Sequence, residues 1–273
     1  MKKINIRKVF VITIIAICVI SVNLAVFFTI IKKEDKKLNS NEEVIIDTVE
    51  LGENFQNIFD NTITMQQNEI AFNKLVQNQP MVYTKYEKVD TKNQLYNISI
   101  HIPYININHP KINEINQEIT DLFYQKVMSI ITQTSQTNTV YSIDYKAYVN
   151  DNILSLVIRS NLKEGNNAQR VIIKTYNYNL SSNEILDINK VIEYRGLDRK
   201  QVQNKIHQRI EEIASSASAY QELGYEKYLR NKNDTMYLIE NTKVFFLGEN
   251  KALYILYPYG NSNYTSELDL IVI

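Results

Sequence analysis

The sequence predicts an α+β protein: antiparallel sheets packed with two main helices, preceded by one N-terminal transmembrane helix. Three observations carry this. Val9 to Ile31 is one apolar run with no charged residue. From Met81 onward the chain falls into period-two stretches joined by short turns. Between groups of these stretches lie two segments whose apolar residues recur every three or four positions. Strands grouped by tight turns, with helices set between the groups, indicate α+β rather than a wound parallel sheet.

The apolar run comes first. A helix of 23 residues spans ~34 Å at about 1.5 Å per residue, against ~30 Å for the hydrocarbon core of a bilayer. A cleavable signal has an apolar core of roughly 7–15 residues and a small-x-small site. This run is longer, and Lys32, Lys33, Glu34 and Asp35 follow it. The basic flanks balance, with Lys2, Lys3, Arg7 and Lys8 before the run and Lys32, Lys33, Lys36 and Lys37 after it. The α-amino group tips the count toward an N-terminus inside the cell. The expected order is a short cytoplasmic tail over 1–8, a transmembrane anchor over 9–31, a juxtamembrane linker with a stalk helix over 32–80, and an extracytoplasmic domain over 81–273.

Within that domain each element has its own signal. Tyr96, Ile98, Ile100, Ile102 and Tyr104 alternate with polar residues, a strand with one buried and one wet face. Pro110 suits the first turn of a helix whose stripe is Ile112, Ile115, Ile119, Phe123, Val127 and Ile130. Tyr141 to Val149, Leu154 to Ile158 and Val171 to Tyr178 read as an antiparallel meander, turning at Asn150-Asp151-Asn152 and at Lys163 to Asn167. A short helix near Asp187 to Glu193 ends at Gly196. A longer one begins after Asp198, with Gln201 completing a capping box and Val202, Ile206, Ile210 and Ile213 facing inward. Met236 to Leu247, Ala252 to Tyr257 and Leu268 to Ile273 are expected as the closing strands.

Composition excludes several chemistries. Thirty basic residues balance thirty acidic ones, and the domain has no basic block, so the footprint of a nucleic-acid binder is missing. Cys18, the only cysteine, sits inside the apolar run, leaving the domain without disulfides or thiolate metal sites. No nucleophile elbow, P-loop, H-E-x-x-H or dinucleotide fingerprint occurs. His101, His109 and His207 stand at no ligand spacing. No catalytic residue, cofactor or metal ligand is therefore assigned, and an enzyme is not expected. The abundant Asn, Ile, Lys and Tyr reflect base composition. One candidate site stands out: Tyr257, Tyr259, Asn261, Asn263 and Tyr264, with Pro258 and Gly260 between them. Tyrosine offers area with a polar tip, which suits a sugar or protein interface, although 19 tyrosines make a cluster less surprising.

Four stretches resemble one family. These are ISIHIPYININHPKINEINQEI (98–119), DYKAYVNDNILSLVIRS (144–160), TYNYNLSSNEILDINKVI (175–192) and FFLGENKALYILYPYGNSNYTSELDLIVI (245–273). They resemble, respectively, the strand-Pro-helix unit, central hairpin, pre-helix turn and closing strands of the extracytoplasmic domain shared by the anti-sigma factor RsiV and the N-terminal region of the peptidoglycan deacetylase PdaC. Where that family shows a glycine in the turn, this chain has Ser181-Ser182-Asn183. The resemblance implies a lysozyme-sensing or wall-associated domain that is not itself a catalyst. About eight residues precede the apolar run and no deacetylase domain follows Ile273, so neither relative's whole activity is expected here. The expectation is a binding or sensing domain at the bacterial cell envelope, with the membrane and either lysozyme, another protein or peptidoglycan as partners. The rival is a peptidoglycan-directed hydrolase or an accessory subunit of a wall enzyme.

Overall fold

The computed structural model describes residues 58–59, 72–132, 138–222, 230–261 and 264–273, with side chains for all of these but 217–222 and 259–267. The chain divides into two units, residues 1–45 and 46–273, and every described residue belongs to the second. The expected anchor lies outside the described residues. Among them no helix is long and apolar enough to cross a membrane.

Two sheets organise the domain. β1 (Val82–Asp90), β2 (Tyr96–Ile105), β3 (Thr139–Asn150), β4 (Ile153–Lys163), β5 (Arg170–Asn179) and the short β6 (Glu184–Ile185) form a six-stranded sheet in that order. β7 (Val244–Leu247), β8 (Leu253–Asn261) and β9 (Tyr264–Val272) form a three-stranded antiparallel sheet. The β3–β4–β5 meander is present as expected. The large sheet departs from the antiparallel expectation at one pair: β2 and β3 run parallel, with Ile98 opposite Tyr141 and Ile100 opposite Ile143. The sheet is mixed because the connection is a helical crossover that returns the chain to the same end of the sheet, as a parallel pair requires.

That crossover is α1 (Pro110–Ile119), a π-turn (Thr120–Tyr124) and α2 (Gln125–Ile131). All six residues of the expected stripe are buried. They pack on the face of the large sheet that carries Ile98, Ile100, Ile143, Leu156 and Ile158. Asn116 fixes where α1 meets the sheet. Its Nδ2 donates to the Ile105 carbonyl and its Oδ1 accepts from the Ile105 N–H, both at 2.9 Å. Asn106 does the same for the entering chain. It donates to the carbonyls of Val76 and Gln79 and accepts from the Val76 N–H. Residues 72–80 thus run as turns and bends, with Lys74 bridging Ile107. The rest of the expected stalk helix, apart from residues 58–59, lies outside the described residues.

α3 (Ile188–Tyr194) and α4 (Arg199–Glu222) cover the small sheet. Asp187 and Asp198 cap them by accepting from the N–H of Lys190 and of Gln201. Gly196 takes the left-handed conformation that separates them. The start of the strand expected from Met236 falls instead in two 3₁₀ turns, Thr235–Tyr237 and Ile239–Asn241. Tyr237 is held there by donating to Asp269, whose carboxylate also takes the Arg230 guanidinium at 3.0 Å. Both partners of this ion pair are buried, so removing one costs about 3–5 kcal/mol.

The two sheets meet along a polar seam. β7 is an edge strand, and its outward backbone groups point at the large sheet. Thr175 Oγ1 accepts from the Phe245 N–H at 3.1 Å, and Asn177 Nδ2 donates to the Phe245 carbonyl at 2.8 Å. Ser155 Oγ accepts from the Leu247 N–H at 3.2 Å and donates to Asn177 Oδ1 at 2.7 Å. Asn150 Nδ2 reaches the Gly248 carbonyl at 3.1 Å. Ser155 and Asn177 are 0 and 3 % exposed. A side chain on Gly248 would meet the Tyr254 ring at 2.5 Å, and that ring is stacked on Phe246, so this turn requires glycine.

Replacing Asn177 with Leu leaves the Phe245 carbonyl buried without that donor, and we expect a loss of about 2–3 kcal/mol. Urea unfolding checks this as a fall in midpoint at constant slope.

Candidate functional site

The tyrosine-rich segment folds as a hairpin. β8 extends to Asn261 and β9 begins at Tyr264, so Tyr259 faces Glu267 and Asn261 faces Tyr264 across the pair, with a register irregularity between Tyr259 and Asn261. Tyr257 belongs to the core. It is 3 % exposed, shares a hydrogen bond of 2.8 Å with Thr242 Oγ1, and meets Tyr237 edge to face at 5.0 Å. Period-two alternation puts it on the same side as Leu253 and Ile255, under α3 and α4. Its ring is therefore not presented to a ligand. The side chains of Tyr259, Asn261 and Tyr264 lie outside the described residues, as does Asn263 altogether.

The described residues show a different polar array. The face of the large sheet opposite α1 and α2 is covered by the small sheet along β4 and β5. Along β1, β2 and the first part of β3, residues Glu87, Val89, Ser99, His101, Ser142 and Asp144 of that face are half-buried or exposed, while Tyr148 at the far end of β3 is buried under the small sheet. Strand register lines up Glu87, His101, Asp144 and Arg159 across four strands. His101 Nδ1 lies 3.0 Å from Asp144 Oδ1, and Nε2 lies 3.9 Å from Glu87 Oε1. Asp144 thereby fixes the ring plane, leaving the second nitrogen near the more exposed Glu87. The adjacent row is Val89, Ser99, Ser142 and Asn161, with Asn161 Nδ2 donating to Ser142 Oγ at 3.2 Å. Rows of donors and acceptors at strand spacing, about 4.8 Å apart, can address hydroxyls or basic side chains. The sequence places His101 on the polar face, but its bond to Asp144 depends on the parallel pairing and has no local signal.

Two shallower features complete the surface. Glu114, Gln117, Glu118, Asp121 and Leu122 line an open depression of about 580 Å³ on α1 and its π-turn, with Glu118 paired to Lys174. A groove of about 210 Å³ runs between α4 and β9, bordered by Lys205, Gln208, Arg209 and Glu212. Among the described residues, no group of three or more His, Cys, Asp or Glu side chains is placed to hold a metal ion.

No family model and no curated protein matches the chain. Among solved structures it is similar to a DUF3298 family protein from Pseudomonas aeruginosa PAO1. The identity is 10 % and the TM-score 0.42, over 71 % of this chain and 90 % of that one. It is also similar to a DUF3298 family member from Bacteroides fragilis NCTC 9343. There the identity is 12 % and the TM-score 0.38, over 74 % and 92 % of the two chains. Both neighbours are thus DUF3298 proteins, the family of the RsiV and PdaC domains, at low identity. Likeness at this level assigns no activity.

Burial raises the Tyr257 hydroxyl to about 12, and it does the same for Tyr141 and Tyr145 on the large sheet. Unfolded tyrosine ionises near 10. The folded state therefore binds these protons more tightly, and the stability they supply is complete below about pH 10 and lost as pH rises toward 12. Denaturant midpoints measured from pH 8 to 12 should be flat and then fall. In Tyr257→Phe the fall should be smaller, after an initial loss of about 1 kcal/mol for the Thr242 bond.

Proposed function

We propose that this chain is a membrane-anchored, non-catalytic binding domain that acts outside the cytoplasm at the bacterial cell envelope. The observation that carries this reading is the open half of the large sheet, where Glu87, His101 and Asp144 stand in one row beside Ser99, Ser142 and Asn161. The face is mostly polar and built on paired strands, which suits recognition of an extended surface. The apolar run Val9–Ile31 supplies the anchor. The resemblance to the RsiV and PdaC domains supports an envelope ligand, either lysozyme or wall glycan. The acidic residues Glu114, Glu118 and Asp121 add a second surface of the sign a basic protein prefers.

The test is retention by the full-length protein in lipid nanodiscs. Lysozyme or insoluble peptidoglycan is expected to be retained at low salt, and Glu87→Lys together with Asp144→Asn should weaken retention about tenfold, or 1.4 kcal/mol. Failure to retain either ligand overturns the reading. Release of soluble fragments from peptidoglycan overturns its non-catalytic part. Protease added to intact cells should cut the domain; protection until lysis overturns its placement outside.

A further inference from the structure

Phe59 falls in the juxtamembrane stretch expected to hold a stalk helix, and it is 8 % exposed. It packs in the apolar junction between the two sheets, among Tyr148, Val157 and Ile173 of the large sheet and Phe246 and Tyr254 of the small one. The Arg159 guanidinium lies over its ring, 4.3 Å from the centroid. Arg159 is itself buried and ends the cross-strand row that begins at Glu87. Ile58 packs against the same cluster. An aromatic ring enclosed by two sheets and faced by a buried cation is a specific contact, since both burial and the cation–π geometry select a ring there. A plain spacer needs neither.

We propose that the junction of the two sheets is a docking site for the chain's own juxtamembrane segment, anchored by Phe59 and read by Arg159. The folded unit then begins ahead of Phe59 rather than at Met81. The domain is held at the sheet junction, beside the open face, whichever ligand that face takes.

The chain contains no tryptophan, so Phe59→Trp introduces a single reporter. In the full-length protein in nanodiscs, its emission should be that of a buried indole. Acrylamide should quench it roughly sevenfold less than a Val89→Trp reporter, following the 8 % and 57 % exposures of the two sites. Equal quenching in proteins of unchanged circular dichroism overturns the proposal. A second pair of variants decides the matter if the larger ring perturbs the fold. Phe59→Ala should lower the thermal midpoint of the full-length protein by several degrees and Phe59→Leu by less, and a synthetic peptide spanning residues 53–65 should restore part of the loss in Phe59→Ala. Unchanged midpoints in both variants, or no recovery with the peptide, overturn it.

Discussion

The contact on which the architecture rests is the edge of β7 against the face of β4 and β5. An edge strand carries unpaired N–H and C=O groups, and burying them unsatisfied costs about 1–3 kcal/mol each. Here four of them, on Phe245 and Leu247, meet Thr175, Asn177, Ser155 and Asn150. These side chains replace the missing strand. The small sheet can therefore stand with its edge on the large one while both of its own faces are buried, one under α3 and α4 and the other over Tyr148, Val157 and Ile173. Since that contact reaches β4, β5 and the Tyr148 end of β3, the same constraint leaves β1, β2 and the start of β3 open. The seam thus decides both where the core closes and where a ligand has room.

Local pattern showed what depends on local pattern. The stripe from Ile112 to Ile130 is buried as spaced, including across the π-turn, because its steps of three and four follow the turn of the helix. The meander followed from alternation and its turns. The parallel β2–β3 pair was not legible, because two strands separated by a helix can pair in either sense until the crossover is placed. The alternation on β4 was also misleading. Ser155, Val157 and Arg159 alternate with Leu154, Leu156 and Ile158, yet all three are buried, since the small sheet arrives from some ninety residues further along the chain. Asn106, Asn116, Asn150 and Asn177 are the clearest case. A sequence rich in asparagine hides those whose amides join elements, and only their partners' positions distinguish them.

The site was less legible than the fold, for the same reason. Tyr257 carries a side chain typical of interfaces, but its parity on β8 sends it inward to Thr242 and Tyr237. The sequence shows parity but not which face of a twice-covered sheet is free. His101 was placed on the correct face, while its partner Asp144 lies 43 residues away, on the strand brought alongside by the helical crossover. Phe59 falls within the expected stalk helix, whose imperfect spacing gave no sign of a partner. An apolar pair such as Ile58-Phe59 shows no partner until the junction it enters exists.

The open face and the Phe59 junction belong to one structural row. Glu87, His101, Asp144 and Arg159 are successive cross-strand neighbours, alternating in charge when the histidine is protonated, and such neighbours lie about 5 Å apart. The row starts at an exposed edge strand and ends at a guanidinium buried between Phe59 and the β4 backbone. Coulomb interactions weaken least where water is excluded, so the buried end responds most to a change of charge along the row. Asp144 is the hinge of this arrangement. It is bonded to His101 on one side and opposes Arg159 on the other. The same carboxylate thus meets a half-buried imidazole on one side and, across the ladder, stands opposite the strand position whose guanidinium covers Phe59.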